Sequence, residues 1–279
     1  MRFLQHKEEA YWFYRYLSII YDTFINPFFH TPLMRDKMLV LLKLDSKDLK
    51  VVDVGCGSGF ASEGVIKFVD PKNITGLDQS DYQLANAKKK VHLKDVSFQQ
   101  GDAENLPWET DQFDRYVSSG SIEYWPDPQR AIAESYRILK PEGRALNMGP
   151  IKPNHWLGGF LAEVFMLFPT KDEYVKWYTD AGFVDIEYIY TKPNWIQKED
   201  YAIGIVGRKP KAGPSPWVPA PDNVMEKPPA EKNSSSQSFL LFFFRFVIGS
   251  IAGAAFMPIA IIKTILTKIS PEPTKESAG

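Results

Sequence analysis

Short apolar segments alternate with amphipathic segments along the middle of the chain. The apolar segments predict β-strands near residues 50–54, 74–78, 96–100, 113–118 and 143–149. The segments between them carry apolar residues at helical spacing and predict α-helices near residues 59–69, 81–91 and 128–139. This alternation favours an α/β fold with a doubly wound, mostly parallel sheet, in which ligands bind at the carboxyl ends of the strands.

Another helix and two more strands are predicted after this core. Thr170 and Glu173 have the spacing of a capping box, and Gly182 suits the position just after the C-terminus of a helix. Apolar segments near residues 183–191 and 201–208 then predict an antiparallel hairpin that extends the sheet.

The first strand runs into a glycine-rich turn, with the sequence VVDVGCGSGF over residues 51–60. Gly55, Gly57 and Gly59 lack a Cβ atom, so backbone N–H groups and the start of the next helix can approach a ligand closely. Their G-x-G-x-G spacing is tighter than that of the G-x-G-x-x-G dinucleotide motif. The turn therefore predicts a ligand site at the carboxyl end of the first strand.

Two acidic residues follow the next two strands. Asp78 ends the second strand, roughly 20 residues after the glycine turn, which is the spacing at which an acid accepts hydrogen bonds from ribose hydroxyls. Asp102 follows the third strand, and its carboxylate suits an adenine amino group. Because the strands are parallel, both carboxylates are expected at the same sheet edge as the glycine turn.

Composition narrows the classes of protein. The 279 residues are 44% hydrophobic and 24% charged, which is enough for one large domain with extra segments. A net charge of −1 without a basic cluster gives no sign of a nucleic-acid interface. Cys56 is the only cysteine, which excludes an intrachain disulfide and a cysteine-based zinc site. The four histidines lack metal-ligand spacing, so we expect no metal.

The glycine turn and the two acids, in this order, resemble the motifs of the class I S-adenosylmethionine-dependent methyltransferases. The resemblance covers about residues 50–150, and it implies a Rossmann-like sheet of seven strands and S-adenosylmethionine as the cofactor. The residues that it implies as cofactor contacts are Asp53, Gly55, Gly57, Gly59, Asp78, Gln79, Asp102, Ala103 and Ser119.

Aromatic residues are concentrated outside these motifs. Residues 3–29 predict one or two amphipathic helices that pack on the sheet or cover an apolar acceptor, and another helix is predicted over residues 32–42. An aromatic loop, SGSIEYWPDP, follows the fourth strand, and residues 151–168 predict a loop and an aromatic helix. For Trp125 in the first loop, ordinary packing explains the residue as well as substrate contact does. The expected acceptor contacts are Tyr14, Tyr124, Trp125 and Trp156.

The C-terminal part of the chain has a different composition. Residues 209–238 contain seven prolines and a serine run, which predicts an extended linker. Residues 239–262 carry one charge, Arg245, and are long enough to span about 30 Å of hydrocarbon as a helix, so we favour a single membrane anchor over an interfacial helix. The predicted organisation is aromatic helices at 1–45, a methyltransferase domain at 46–208, then the linker, the anchor and a polar tail at 263–279.

Over its whole length the chain resembles the plant plastid 2-methyl-6-phytyl-1,4-hydroquinone (MPBQ/MSBQ) methyltransferases. The stretches that carry this resemblance include AYWFYR at residues 10–15, SIEYWPDPQR at 121–130 and MLFP at 166–169. The resemblance implies C-methylation of 2-methyl-6-phytyl- or 2-methyl-6-solanesyl-1,4-benzoquinol in tocopherol and plastoquinone biosynthesis, at the plastid inner envelope membrane. Cys56 and Ser58 stand where we expect Gly and Thr in that family, but both are small and compatible with donor binding.

Methyl transfer to a quinol ring requires close alignment of donor and acceptor, and it is helped by a base. The ring carbon becomes nucleophilic when the adjacent hydroxyl loses its proton, and a free phenol titrates at about pH 10. A base within hydrogen-bond reach therefore accelerates the reaction. The candidates are His6, His30, Glu123 and His155, and we expect Glu123 or His155 to act.

Two other functions are compatible with the motifs. A sterol or a ubiquinone precursor is an alternative acceptor for the same chemistry. A donor-binding membrane protein without catalytic activity is an alternative of a different class. A polyamine synthase is disfavoured, because no acidic cluster follows the fourth strand.

Overall fold

The computed structural model describes residues 30–152, 168–194 and 201–219, together with Ile262. The predicted N-terminal helices, with His6 and Tyr14, lie outside the described residues, and so do His155 and Trp156. The predicted membrane span also lies outside them, apart from Ile262. Within the described ranges, no helix is long and apolar enough to cross a membrane.

In the part of the chain that the structure describes, seven strands form a single sheet. They are β1 (Val51–Val54), β2 (Ile74–Asp78), β3 (Ser97–Gln100), β4 (Phe113–Ser119), β5 (Leu139–Pro150), β6 (Val184–Thr191) and β7 (Ala202–Arg208). Their order is β3-β2-β1-β4-β5-β7-β6. β7 is antiparallel to its neighbours β5 and β6, whereas all other pairs are parallel. The predicted Rossmann-like, mostly parallel seven-stranded sheet is confirmed.

Helices cover both faces of the sheet, as a doubly wound fold requires. The described α-helices are α1 (Pro32–Leu39), α2 (Phe60–Val65), α3 (Asp81–Lys88), α4 (Pro128–Ile138) and α5 (Lys171–Ala181). α4 and α5 pack together against one face, over a core that includes Val52, Tyr136 and Tyr178. α1 and α2 pack against the other face, over a core that includes Val51 and Met38. Adjacent residues of β1 thus enter different cores, because side chains alternate across a strand.

Polar caps start several of these helices where the sequence supplies them. The predicted capping box is present at α5: Thr170 and Glu173 each accept a hydrogen bond from the other's backbone N–H. Gly182 ends that helix in the left-handed conformation, with φ of 95°. Ser80 caps α3 and Asp127 caps α4 through their side-chain oxygens. These caps satisfy N–H groups that have no partner inside a helix.

Two element boundaries differ from the predictions more than the others do. β5 begins at Leu139 rather than near residue 143, because Leu139 pairs with Phe113 before a register shift in the β4–β5 ladder. α2 ends at Val65 rather than near residue 69. The N–H groups of Lys67 and Phe68 bond to carbonyls three residues back, which closes tighter turns after the helix.

The first residues of the predicted linker pack against the domain. Lys209 is fully buried, and its Nζ atom donates hydrogen bonds to Asp111 Oδ1 at 2.5 Å and to the Gly213 carbonyl at 2.7 Å. Ser215 Oγ donates to the carbonyl of Ala181 at the end of α5. The domain therefore makes ordered contacts beyond the boundary that we predicted after β7.

Candidate active site

A cavity lies at the carboxyl ends of β1, β2, β3 and β4. It is lined by the glycine turn after β1, by Asp78 and Gln79 after β2, by residues 101–104 after β3 and by the loop after β4. His30, just before α1, also lines it. The location agrees with the general rule for open parallel sheets. The glycine turn lies between the two acids on one side and the β4 loop on the other, because β1 separates β2 from β4 in the sheet.

The glycine turn needs glycine for two different reasons. Gly55 has φ of 66°, and a Cβ atom there would lie only 2.5 Å from Ser121 Cβ, so the β4 loop packs directly against the turn. Gly57 has φ of 52°, and a Cβ atom there would meet nothing within 4 Å. Gly57 lines the cavity, so the turn presents its bare backbone to this space.

Asp53 supports the turn from within the core and does not line the cavity. Its Oδ2 atom accepts hydrogen bonds from the backbone N–H of Ser62 at 2.9 Å and from the Ser62 hydroxyl at 2.6 Å. These bonds fix the first turn of α2 against β1. Burial raises the pKa of Asp53 to about 7, although the Ser62 hydrogen bonds oppose this shift.

Asp78 and Asp102 both line the cavity, as the sequence predicted, and each also orders its own loop. Asp78 Oδ2 accepts from the Gly57 N–H at 2.8 Å, and its Oδ1 accepts from the Ser80 N–H at 2.9 Å. Asp102 Oδ1 accepts from the Glu104 N–H at 3.0 Å. Asp78 therefore holds the glycine turn in place through a direct hydrogen bond.

Three of the four remaining predicted cofactor residues line the cavity. Gln79, Ala103 and Ser119 line the cavity, and all three are partly exposed to it. Gly59 has φ of 92° and starts α2 without contributing to the lining.

Two of the predicted acceptor contacts are described, and both lie in the β4 loop. Tyr124 and Trp125 are nearly buried and line the cavity. Trp125 also belongs to the core under α4, so the residue both packs in the core and forms part of the cavity wall. The other two predicted contacts, Tyr14 and Trp156, lie outside the described residues.

Glu123 is a buried carboxyl group in the cavity wall. Its side chain is 6% exposed, and burial raises its pKa to about 7. Its Oε2 atom has no hydrogen-bond partner within the described part of the chain. A second buried glutamate, Glu104, differs because its Oε1 atom accepts a hydrogen bond from the Asp127 N–H at 2.8 Å. Of these two glutamates, Glu123 is the one whose carboxylate is available to a ligand.

The structure brings His30, one of the four candidate bases, into the same cavity. Burial lowers the pKa of His30 to about 4, so its imidazole is neutral at physiological pH. Another candidate, His155, lies outside the described residues. His92 is exposed and bonds to Glu63 rather than to any cavity residue.

Several lining residues were missed by sequence reasoning. They include Phe60, Gln83, Glu104, Ser121 and Pro126. All but Gln83 adjoin motifs that the sequence analysis identified, whereas Gln83 reaches the cavity through tertiary packing alone. Within the described residues, no group of His, Cys, Asp and Glu side chains could hold a metal ion.

Replacing Gly55 with alanine is expected to lower the free energy of unfolding by about 2 kcal/mol and to weaken donor binding. The new Cβ atom collides with Ser121 Cβ, and alanine is strained in the left-handed region. Urea unfolding and calorimetric titration with S-adenosylmethionine measure both effects. A Gly55→Ala/Ser121→Gly double variant should recover part of the loss. Wild-type stability in the single variant contradicts the prediction.

Replacing Asp53 with asparagine is expected to change how stability depends on pH. The carboxyl has a pKa of about 7 in the folded protein against an ordinary 3.8, so the folded state favours its protonated form. The wild type therefore loses stability as pH rises from about 4 to about 7, by up to about 1.4 kcal/mol per pH unit. The asparagine variant lacks this loss, and its stability relative to the wild type should rise with pH. Denaturant unfolding of both donor-free proteins across this range tests it, and parallel curves contradict it.

Comparison with known proteins places these features in context. The methyltransferase domain family matches residues 52–147, which include the glycine turn and both acids. The chain is 47% identical to the 2-methyl-6-phytyl-1,4-hydroquinone methyltransferase of Arabidopsis thaliana, named chloroplastic, over 97% of this chain and 80% of the relative. It is 46% identical to the enzyme of the same name from Spinacia oleracea, over 97% of this chain and 78% of the relative.

A solved structure shares the fold at low sequence identity. It is the geranyl diphosphate C-methyltransferase of Streptomyces coelicolor, in complex with Mg²⁺, geranyl diphosphate and S-adenosyl-L-homocysteine. The TM-score is 0.54 at 15% identity, over 63% of this chain and 78% of that one. At this identity the comparison supports the fold alone.

Proposed function

The chain belongs to the 2-methyl-6-phytyl-1,4-hydroquinone methyltransferase family, and on that premise we propose that it methylates the ring of 2-methyl-6-phytyl- or 2-methyl-6-solanesyl-1,4-benzoquinol. The methyl donor is S-adenosylmethionine, and the products serve tocopherol and plastoquinone biosynthesis. The observation that carries the proposal is the identity of 46% and 47% to two such enzymes across 97% of the chain.

The residues around the cavity fit S-adenosylmethionine. Gly57 presents an open backbone where a side chain would otherwise occupy the space, which suits close approach of a ligand. Asp78 and Asp102 give the cavity two carboxylates at the ends of adjacent strands. We assign Asp78 to the ribose hydroxyls and Asp102 to the adenine amino group. Gln79, Ala103 and Ser119 complete the binding wall, while Asp53 acts through its hold on the glycine turn.

When bound, the cofactor supplies an electrophilic methyl group on a sulfonium. The chain's part is to hold the acceptor ring in line with that methyl and to exclude water, which can supply most of the rate acceleration. The β4 loop is suited to this task because Tyr124 and Trp125 give the cavity a rigid aromatic wall. Tyr14 and Trp156 are assigned to the same acceptor by their place in the aromatic segments.

Methylation of the ring carbon requires a base in the cavity that accepts a proton from the quinol. We assign this part of the chemistry to Glu123, with His155 as the alternative. Glu123 is buried next to the open part of the cavity, and its pKa of about 7 leaves it ionised in a large share of molecules at neutral pH. A carboxylate that is poorly solvated is a stronger base than one in water, which suits the transfer of a proton from the quinol.

The lipid-soluble acceptor fits a membrane-bound enzyme. We propose a plastid location at the inner envelope membrane, with residues 239–262 as a single C-terminal anchor and the proline-rich segment as its linker. An anchored domain meets a prenylated ring whose tail stays in the bilayer. The apolar length of residues 239–262 and the chloroplastic names of the relatives support this arrangement.

Transfer of labelled methyl from S-adenosylmethionine to a panel of detergent-dispersed acceptors tests the function. The panel contains 2-methyl-6-phytyl- and 2-methyl-6-solanesyl-benzoquinol, a ubiquinone precursor and a sterol. We expect label on the two methylbenzoquinols alone. Label on the sterol or the ubiquinone precursor instead would replace the proposed substrate, and donor binding without any transfer would favour a non-catalytic protein.

A further inference from the structure

Two buried polar side chains approach the same open point of the cavity. A Cβ atom on Gly120 would lie 3.8 Å from His30 Nε2 and 3.8 Å from Glu123 Oε1. Gly120 has no Cβ atom, so this point is open, and all three residues line the cavity. Both ring nitrogens of His30 and the Oε2 atom of Glu123 are buried without a hydrogen-bond partner among the described residues. Unpaired buried polar atoms are costly, so this arrangement suits a polar ligand group between the two side chains.

The fold fixes the backbone that carries His30. Thr31 caps α1 by accepting a hydrogen bond from the Met34 N–H. One turn later, the buried Arg35 donates from Nη1 to the Phe60 carbonyl at 2.9 Å, and its guanidinium stacks 4.9 Å from the centre of the Phe60 ring. Phe60 is the first residue of α2 and lines the cavity. Arg35 therefore ties the helix after His30 to the helix after the glycine turn.

Methylation of a quinol carbon uses two proton acceptors when the adjacent hydroxyl is deprotonated during methyl transfer. The C–CH₃ bond forms from ring electrons while the S–CH₃ bond breaks toward sulfur, and the adjacent hydroxyl loses its proton in this step to leave a neutral dienone. The methylated carbon must then lose its own proton to restore the aromatic ring. That second loss places the electron pair on oxygen, which takes back the first proton. One proton remains on the second acceptor and is released to solvent.

We propose that His30 and Glu123 are these two acceptors: His30 takes and returns the hydroxyl proton, and Glu123 takes the proton of the methylated carbon. The inference rests on the proposed function. The neutral imidazole has a free lone pair for the hydroxyl proton, and the hydroxyl becomes more acidic as the ring gains positive charge. The imidazolium that forms is stabilised by the neighbouring Glu123 carboxylate. The carboxylate is the group that can keep a proton until product leaves.

Isotope effects separate the two roles. His30→Gln should lower kcat about 10²-fold without changing the affinity for S-adenosylmethionine, because it removes one proton acceptor. It should show no primary isotope effect with a quinol deuterated at the methylated carbon. Glu123→Gln should show such an effect, because loss of the ring proton becomes rate-limiting. His92→Gln, a replacement of an exposed histidine outside the cavity, serves as the control and should keep the wild-type kcat.

A second variant tests the shared open point without altering either acceptor. Gly120→Ala places a methyl group between His30 and Glu123, and it should lower kcat/KM at least about 10²-fold while donor binding persists. Gly213→Ala is the matched control, since Gly213 also has a positive φ, of 105°, but no neighbour within 4 Å of its Cβ position and no place in the cavity. It controls for the strain of alanine in the left-handed region.

The outcomes separate this inference from the proposed function. A wild type that does not methylate either quinol refutes both. A wild type that methylates the quinols, with a His30→Gln variant at the wild-type kcat, refutes the inference alone. An isotope effect in His30→Gln and none in Glu123→Gln also overturns it, because the roles would be reversed. If His30→Gln does not fold, as judged by circular dichroism, a Gly120→Ala variant with the kcat/KM of the Gly213→Ala control overturns it instead.

Discussion

Replacement of Glu123 by glutamine is expected to lower kcat for methyl transfer to the quinol by about 10²–10⁴-fold. The amide keeps the size and polarity of the side chain but cannot accept a proton. Donor affinity should change little, because Glu123 lies in the β4 loop and the two acids assigned to the donor lie beyond the glycine turn. Steady-state kinetics with labelled donor and a calorimetric titration measure the two quantities.

The pH dependence of kcat/KM provides a second test of the Glu123→Gln variant. Burial raises the pKa of Glu123 to about 7, and a base must be ionised to act. The wild-type kcat/KM should therefore rise with pH through about 7 and level off above it, whereas the glutamine variant should lack this step. Glu104→Gln is the matched control: its amide oxygen can still accept the hydrogen bond from the Asp127 N–H, so kcat should fall far less. Equal losses in the two variants would refute a special role for Glu123.

Replacement of Lys209 by alanine is expected to lower the free energy of unfolding by about 3–5 kcal/mol. The ammonium is fully buried, and it joins Asp111 to the carbonyls of Arg137 and Gly213. It also lies 4.8 Å from the centre of the Tyr136 ring. Removing it leaves the Asp111 carboxylate, three-quarters buried, without its positive partner. Urea unfolding of the full chain measures the change.

A double variant tests whether the loss comes from the unpaired charge. Lys209→Met together with Asp111→Asn removes both charges and keeps most of the side-chain volume. The asparagine can still accept a hydrogen bond from the Gly213 N–H, as the aspartate does. We expect the double variant to be much closer to the wild type than Lys209→Ala, since replacing both partners of a buried pair is often nearly neutral. Equal stabilities of these two variants would contradict the charge argument.

Much of the fold could be predicted because its signals are local. The strand–helix alternation reflects which faces must be buried, and the caps at Thr170 and Gly182 depend on neighbouring residues only. The glycine turn, Asp78 and Asp102 belong to this class as well, because a parallel sheet brings the carboxyl ends of adjacent strands together. Sequence spacing was therefore enough to predict that the glycine turn and the two acids share one cavity.

Other predictions were limited because the periodicity of apolar residues carries no information about contacts between distant parts of the chain. Proline content predicted an extended linker from residue 209. It could not predict that Lys209 pairs with Asp111, which lies about a hundred residues earlier in the chain. The place of Asp53 in the glycine motif suggested a ligand contact. Because side chains alternate across β1, its side chain instead lies in the core beside Ser62. Long-range packing decided both.

The sequence by itself determined the α/β class, the number of strands implied by its family, the glycine turn and two acids that meet at one cavity, and the chemistry that a quinol acceptor requires. Only the tertiary structure decided which candidate bases meet. His30 and Glu123 are far apart in the chain, and no spacing rule relates them. They share one open point because α1 is tied to α2 by Arg35 and because Gly120 leaves room between them. Their altered pKa values have the same origin, since burial is a property of the folded chain and not of the residue.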